Sequence, residues 1–576
     1  MPVQILQHER QKNIEQLHAQ LKVELADCQE VRPTYRNKVE KFMVAHSVWR
    51  VSDLDYSWRE VFETWLAGEI QPVSYRMYMK AFDNIKQHEV HNRFAAAENG
   101  RIRPAYKNQM LFLPYHPDQK IAKMFDKAIR KKYLVWDFSL EAPENMKRQI
   151  YQAMHYLLET TESRELLRTY LIELKALYDY CRLEKIEDIE MMELEEIQRF
   201  TDATYSDGRI KKFCIVEVLW KALFLDAQEI RWDANVWYLE RFHLQPDRIN
   251  PASPVKRLSF LEVPLTQNRA LLKQYVRYGL GLTNISISTL RTELDYVKNY
   301  LASDPISDVD IRCAGQEHLD TYFRELERKN IQSSSHNKQI MAILHFYNFL
   351  QVRGYLEQGQ IPFHAEYYLK KELPVHHDRS VPAEVTAEIL GKLYLFPEEI
   401  RLMYLHLWAV GLRISEVCRL KGDDYYMQGV DAWIRVYQTK MRNYKQIPIP
   451  NALYQLMRVY IERKHIKAAD WVFQAPQGGP YHTTTFRKKM KECCMKYRIG
   501  NGQYLFRSHD YRHGVATAFY EQGVSIESIR DYLGHDYEEM TLQYIDYMPK
   551  QIDQGNEECL RRHNLASHIR KGGTVW

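Results

Sequence analysis

The tract GLRISEVCRLKGDD, residues 411–424, decides how the rest of the chain is read. Gly411 can end one helix, and Ser415 or its neighbours can begin the next turn. Arg413 then sits at the break, where a guanidinium projects from a helix end. Val417, Cys418 and Leu420 read as core. Three further tracts lie downstream. QTKMRNYK, residues 438–445, joins two β-rich runs, WIRVYQTK and YKQIPIP, and places Lys440 at the tip or flank of a hairpin, with Arg442 and Lys445 as rivals. SHDYRHG, residues 508–514, holds His509 and Arg512 at i, i+3, on one helix face. LGHDYEEMTLQY, residues 533–544, sets Tyr544 nine residues after His535. With 40 tyrosines in the chain, and Tyr537 and Tyr547 close by, no tyrosine is marked on its own.

Working outward, residues 382–420 are helical in pattern, and helices return from Asn451. Residues 160–230 and 286–356 echo one another: a long helix, an Asp-Ile start (Asp188, Asp310) and a later apolar helix, with a fainter copy near Asp53. Ser286 and Ser288 are candidate N-caps for the helix from Thr289, Ser333–Ser335 open a further helix, and Gly354 fits a helix stop. The fold expected is mainly α with a small β-sheet or hairpin. The divisions expected are a helical N-terminal region (1–150), a helical domain that repeats the next one in degenerate form (151–280), a helical domain (281–357), an interdomain linker (358–380), a domain carrying the four tracts (381–550) and a C-terminal tail (551–576). There is no βαβ alternation and no Gly-rich phosphate loop, which argues against a nucleotide-driven engine.

Composition sets outer limits. The chain has 576 residues, enough for three or four domains, and its 45% apolar content excludes global disorder. A net charge of +5 is too small for a wholly basic surface, so any nucleic-acid contact must use concentrated charge. Eight cysteines without a C-x-x-C read as inert thiols in a reducing cytosol. No stretch has the length and apolarity of a membrane span, so the chain is expected to be soluble and intracellular.

Together these motifs resemble the tyrosine recombinase (phage integrase) family, which shares its catalytic fold with type IB topoisomerases. An Arg in G-L-R-x-S-E, a hairpin Lys, H-x-x-R, L-G-H and a Tyr nine residues on all stand in order between residues 413 and 544. Tyr511 departs from the Leu usual before the second Arg. The resemblance is firm over 380–550, weaker over 286–357, and does not reach 1–280. It implies a SAM-like core-binding domain at 281–357 and a catalytic domain at 381–550. It implies that Arg413 and Arg512 clamp the scissile phosphate, that His509 is an acid/base or phosphate contact and that His535 donates to a nonbridging oxygen. Lys440 would protonate the leaving 5′-oxygen, Tyr544 would be the nucleophile of a 3′-phosphotyrosine, and Glu416 would orient Arg413. No metal or other cofactor is implied. The implied partner is double-stranded DNA, held by a homo-tetramer or paired dimers whose 551–576 tail is a helix exchanged between subunits, with an internal capping helix as the alternative, and with accessory recombinase or architectural proteins and no membrane; the implied place is the cytoplasm, on the nucleoid. Lys338, Arg487, Lys488, Lys489 and Lys491 are candidate DNA contacts. The length beyond a minimal two-domain enzyme favours a mobile-element recombinase, for integration, excision or transposition. A type IB-like topoisomerase and a catalytically inactive DNA-binding regulator are the alternatives. Residues 1–280 are expected to add affinity, site choice or assembly, but no catalytic group.

Overall fold

The computed structural model describes residues 2–71, 74–95, 103–125, 132–204, 214–357, 359, 361–372, 381–439, 441–535 and 538–542. Packing divides the chain into two units, Met1–Arg241 with Ser259–Glu262, and Phe242–Leu258 with Val263–Trp576. Among the described residues no helix is long and apolar enough to cross a membrane.

The first unit uses one helical design twice. Helices α1 (Pro2–Ala26), α2 (Pro33–Ala45), α3 (Tyr56–Ala67) and α4 (Tyr75–Ala95) form the first copy, with a 3-10 turn, Val51–Asp53, between α2 and α3. After the short α5 (Gln119–Met124) come α6 (Glu144–Thr160), α7 (Arg164–Leu183), α8 (Leu194–Thr204) and α9 (Ile215–Asp226), with the turn Ile189–Met191 between α7 and α8. The second unit holds a third copy: α10 (Thr266–Leu282), α11 (Ile287–Leu301), the turn Ile311–Cys313, α12 (Gln316–Arg328) and α13 (Ser333–Val352).

One hydrogen bond identifies all three copies. The amide that opens the 3-10 turn has no helical partner, so a side chain on the first helix supplies one. Glu24 Oε2 accepts from Val51 N at 2.9 Å, Gln149 Oε1 from Ile189 N at 2.8 Å, and Asn268 Oδ1 from Ile311 N at 2.9 Å. Asp188 and Asp310 cap their turns alike, accepting from Glu190 N and Arg312 N. The same order of elements and the same hydrogen bond thus recur in the two segments that echo one another and in the faint copy. Its expected marker is displaced: Asp53 ends the turn, and Arg50 stands at the capping position. Each copy buries its own apolar face, Phe42, Phe62 and Phe82 in the first, Ile150, Leu171 and Leu219 in the second, Leu294, Ile343 and Phe346 in the third.

The expected boundaries at 150 and 280 fall inside α6 and α10, because a helical design that starts one helix earlier cannot be cut there. Of the two candidate caps, Ser286 holds α11, accepting from Thr289 N at 3.1 Å, while Ser288 lies inside the first turn, because the helix starts at Ile287 and not at Thr289. Ser333–Ser335 lie within the first turn of α13 and Gln332 holds the cap position. Part of the expected linker is also packed: Phe363 is buried, the Tyr368 ring packs tilted against Phe323 at 4.3 Å, and the Tyr368 carbonyl accepts from His336.

The last part of the second unit is built on α14 (Ala383–Lys392), α15 (Glu398–Val410), α16 (Ile414–Val417), α17 (Asn451–Arg463), α18 (Thr483–Lys496), α19 (Asp510–Glu521), α20 (Ile526–Leu533) and α21 (Glu538–Leu542). Its antiparallel sheet has three strands, β1 (Tyr425–Gln428), β2 (Asp431–Gln438) and β3 (Asn443–Pro448), in that order. The β2–β3 hairpin is as expected; four-residue β1 is an addition too short to be read from its alternation. Ile434, Val436 and Ile447 point into a core shared with Met403, Leu407, Val417, Cys418 and Phe486. Ala252, from upstream of α10, is fully buried in the same core. The tail 551–576 lies outside the described residues.

Candidate active site

Gly411 ends α15 in the left-handed region, at φ 69°, which a Cβ would strain and would drive to 3.1 Å from the Val515 side chain. The chain reverses there and presents Arg413 at the N-cap of α16. Glu416 holds it twice: Oε1 accepts from Arg413 Nη1 at 2.9 Å and Oε2 from Arg413 N at 2.9 Å. The carboxylate is 2% exposed. Burial alone would raise its pKa, but Lys445, Arg512 and Arg413 together bring it below the usual carboxylate range.

Arg512, in the first turn of α19, is buried beside this pair. Its guanidinium donates to the Gly411 carbonyl at 3.0 Å, the Leu533 carbonyl at 2.6 Å and His535 Nε2 at 3.0 Å. A guanidinium has no acceptor, so His535 Nε2 accepts and Nδ1–H faces the Thr541 hydroxyl at 3.0 Å. Burial, then the nearby positive charges of Arg512, Arg413 and Lys445, push the imidazole down to about 3, so the ring is neutral. In this arrangement His535 accepts through Nε2; donation of an N–H to a phosphate from that atom needs the other tautomer.

The turn before His535 is pinned from below. Gly534 ends α20 at φ 69°, and a Cβ there would lie 2.1 Å from Gln438 Nε2, whose amide donates to the Gly534 carbonyl at 3.2 Å. Lys445, on β3, donates to the Tyr532 and Leu533 carbonyls, each at 3.2 Å. Its ammonium is pushed down to about 7 by burial, against the attraction of Glu416 and with the repulsion of Arg512 and Arg413. The ordinary lysine value is ~10.4. Between the two, the unfolded chain keeps a proton that the folded chain has released, so stability rises with pH across that window. Thermal unfolding at roughly pH 7 and pH 9 should give wild type a larger gain than Lys445→Met. Equal gains would mean that the ammonium is not desolvated in the fold.

His509 is exposed at the start of α19, with its ring 5.3 Å from that of the buried His513. It lines a cavity of about 350 Å³ together with Arg413, Ser415 and Arg487. Tyr511, which stands where the family usually has Leu, is buried against Tyr404 at 5.1 Å. The fold thus brings together Arg413, Glu416, Arg512 and His535, with His509 at the cavity. Lys440 and Tyr544 lie outside the described residues, as do Tyr537 and Tyr547. Of the candidate DNA contacts, Arg487 reaches the cavity. Lys488, Lys489 and Lys491 are exposed elsewhere on α18, Lys488 3.9 Å from Glu492, and Lys489 over the Tyr481 ring. Lys338 is exposed in the second turn of α13.

Sequence reasoning missed Gln438, Thr541 and a segment far upstream. Asn250 and Ser253 line the same cavity as Arg413 and His509. Residues 1–280, expected to add affinity, site choice or assembly but no catalytic group, thus contribute two lining residues to this cavity. Gln438 and Thr541 were legible only as polar residues next to a motif; Asn250 and Ser253 carried no signal, since a turn of Asn, Pro, Ala and Ser reads as any loop.

Residues 384–550 match the model of the phage integrase family. Among similar proteins, the transposase B from transposon Tn554 of Staphylococcus aureus (strain Mu50 / ATCC 700699) is 26% identical over 330 residues, covering 56% of this chain and 52% of that protein. A tyrosine recombinase of Pseudothermotoga lettingae is 23% identical over 280 residues, covering 48% of this chain and 93% of that protein. The chain spans about half the length of the transposases it matches. A solved structure of the Tn1549 transposon integrase in complex with a circular intermediate DNA is similar at 16% identity and TM-score 0.38, covering 49% of this chain and 99% of that one.

Proposed function

We propose that this chain, whose residues 384–550 belong to the phage integrase family of tyrosine recombinases, cuts and rejoins DNA at specific sites to move a mobile element. The observation that carries this reading is the convergence of Arg413, Arg512 and His535, with buried Glu416 aligning the first of them. A phosphodiester under attack spreads negative charge over its nonbridging oxygens. Two always-protonated donors, held by the protein before substrate arrives, stabilise that charge without reorganising.

In the reaction proposed, the Tyr544 oxygen attacks the phosphorus and the bond to the deoxyribose 5′-oxygen breaks. Lys440 gives that oxygen its proton, and His509 serves as acid/base or phosphate contact. The 3′-phosphotyrosine keeps the ester's energy for the return attack by another 5′-hydroxyl. The experiment is to mix the full chain with nicked end duplexes from the element that encodes it and look for a protein–DNA adduct stable to denaturing gels. No adduct on any such duplex overturns the reading.

The assembly proposed is a tetramer, or paired dimers, on double-stranded DNA. An apolar cavity of about 640 Å³ on the catalytic domain, lined by Leu405, Trp408, Leu453, Leu456 and Phe519, supports it. The occupant proposed is the 551–576 segment of a second copy. Accessory recombinase or architectural proteins, and a place on the nucleoid, follow from the same reading.

Lys440 is distinguished from its neighbours by its leaving-group chemistry. Lys440→Ala should slow cleavage of an ordinary duplex by at least about 10²-fold, within the range for a lost general acid. A substrate with sulfur at the 5′-bridging position needs no proton on departure, so it should recover most of the rate. If Lys440→Ala stays slow on it while Lys445→Ala recovers, the acid is Lys445.

A further inference from the structure

The chain enters the catalytic domain twice, once at α14 and once, earlier, at residues 246–254. That earlier pass is firmly held. Arg248 is buried and donates to the carbonyls of Gly279, Leu280 and Ile285 at 2.8, 2.6 and 2.9 Å, so it closes the open C-terminal end of α10. Asp247 pairs with Arg442 at 3.4 Å. Ala252 is fully buried in the catalytic core, and its carbonyl accepts from Thr483 N at 3.0 Å. Between these anchors Asn250 folds its own turn: Oδ1 accepts from Ala252 N at 3.1 Å, and its carbonyl from Ser253 N at 3.0 Å.

The anchors leave Asn250 and Ser253 on the wall of the cavity that holds Arg413, Arg487 and His509. Among the described residues that line it, none is acidic, and several carry hydroxyls. Two guanidiniums with hydroxyl and amide donors around them suit a phosphate better than a carboxylate-bearing or cationic ligand. Ser253 is exposed at the lip, and with Oδ1 of Asn250 engaged in the turn, its amide N–H groups are the side that can face a ligand.

We propose that Asn250 and Ser253 are phosphate-contacting residues of the catalytic pocket, supplied from upstream of the helical domain, and that they receive the DNA phosphate next to the one that reacts. This rests on the recombinase reading above. The catalytic unit then begins near residue 242, and a fragment cut at 281 lacks one wall of its pocket. A turn fixed at both ends before DNA arrives loses little freedom on binding, so its donors position the backbone at low entropic cost.

The test uses the full chain on an end duplex with which wild type forms its adduct. Asn250→Ala with Ser253→Ala should slow single-turnover cleavage at saturating DNA about tenfold, within the range for a lost positioning contact. Ser253→Glu, which sets a carboxylate against the phosphate, should slow it at least about 100-fold, as for an opposed transition-state charge, with an unchanged melting temperature. A structural role alone would not predict the third readout. In Ser253→Cys, alkylation of the introduced thiol, followed by peptide mass spectrometry at that position, should slow at least about tenfold when the duplex is added, as expected for a group covered by a phosphate contact. Cleavage at the wild-type rate by Ser253→Glu, or equal labelling with and without DNA, overturns the inference alone. If wild type itself forms no adduct, the recombinase reading fails and this inference falls with it.

Discussion

Arg512→Lys is expected to lose DNA cleavage by at least about 10²-fold while the protein still folds and binds DNA. The reason is geometric. The Arg512 guanidinium spans the Gly411 carbonyl, the Leu533 carbonyl and His535 Nε2 in one plane, and so ties the helix end that carries Arg413 to the turn that carries His535. An ammonium keeps the charge but cannot hold those partners and a phosphate oxygen in a planar fork. Arg512→Ala should lose as much activity and also stability. Glu416, 2% exposed, would keep Arg413 and Lys445 but lose a counter-charge that helps keep it ionised. Removing one partner from a buried charge cluster typically costs about 3–5 kcal/mol. Arg413→Ala separates the two effects, because Arg413 is 20% exposed at the cavity and ties fewer elements together. It should match the loss in rate with a smaller loss in melting temperature. The measurement is single-turnover cleavage at saturating DNA beside thermal unfolding. Equal, proportionate losses of binding and cleavage in Arg512→Lys would mean that the residue is only a brace.

What the sequence made legible follows how local each signal is. Arg413 with Glu416, and His509 with Arg512, lie within one helical turn of each other, so spacing alone predicts shared faces. The hairpin was legible from alternation on either side of its turn. The three helical copies were legible as an echo of element order, but their shared hydrogen bond was not, because Glu24, Gln149 and Asn268 are three different residue types doing one job. Gln438 under Gly534 joins positions 96 residues apart in sequence, and Thr483 under Ala252 is more distant still. No periodicity encodes such pairings; only the packed core brings them together. The same limit hid Asn250 and Ser253. A loop that precedes a complete helical domain reads as a connector, and nothing in its composition says that the chain packs into the core built by α14–α21.

Tyr544→Phe is expected to abolish the covalent adduct altogether while binding the same duplex within about threefold of wild type, since phosphate contacts elsewhere carry most of the affinity. The phenylalanine ring keeps the shape and apolar surface of the tyrosine and lacks only the oxygen proposed to bond to phosphorus, so no change of pH, salt or leaving group should restore the reaction. Tyr544 lies outside the described residues, and Thr541 lies within them. Thr541, fully buried in α21, meets His535 Nδ1 through its hydroxyl, so the chain three residues before Tyr544 is tied to the same imidazole that Arg512 holds. That tie fixes the chain at position 541, six residues after His535 in the nine-residue spacing. Tyr537 and Tyr547 are the rivals, one before this tie and one beyond it. Digestion of the adduct and mass spectrometry of the nucleotide-bearing peptide decide among the three. An adduct formed by the Tyr544→Phe protein, or one mapped to Tyr537 or Tyr547, moves the nucleophile. Should Tyr544→Phe also lose DNA binding by more than about tenfold, the phenol would be a docking group as well, and the loss of adduct could no longer be assigned to chemistry alone.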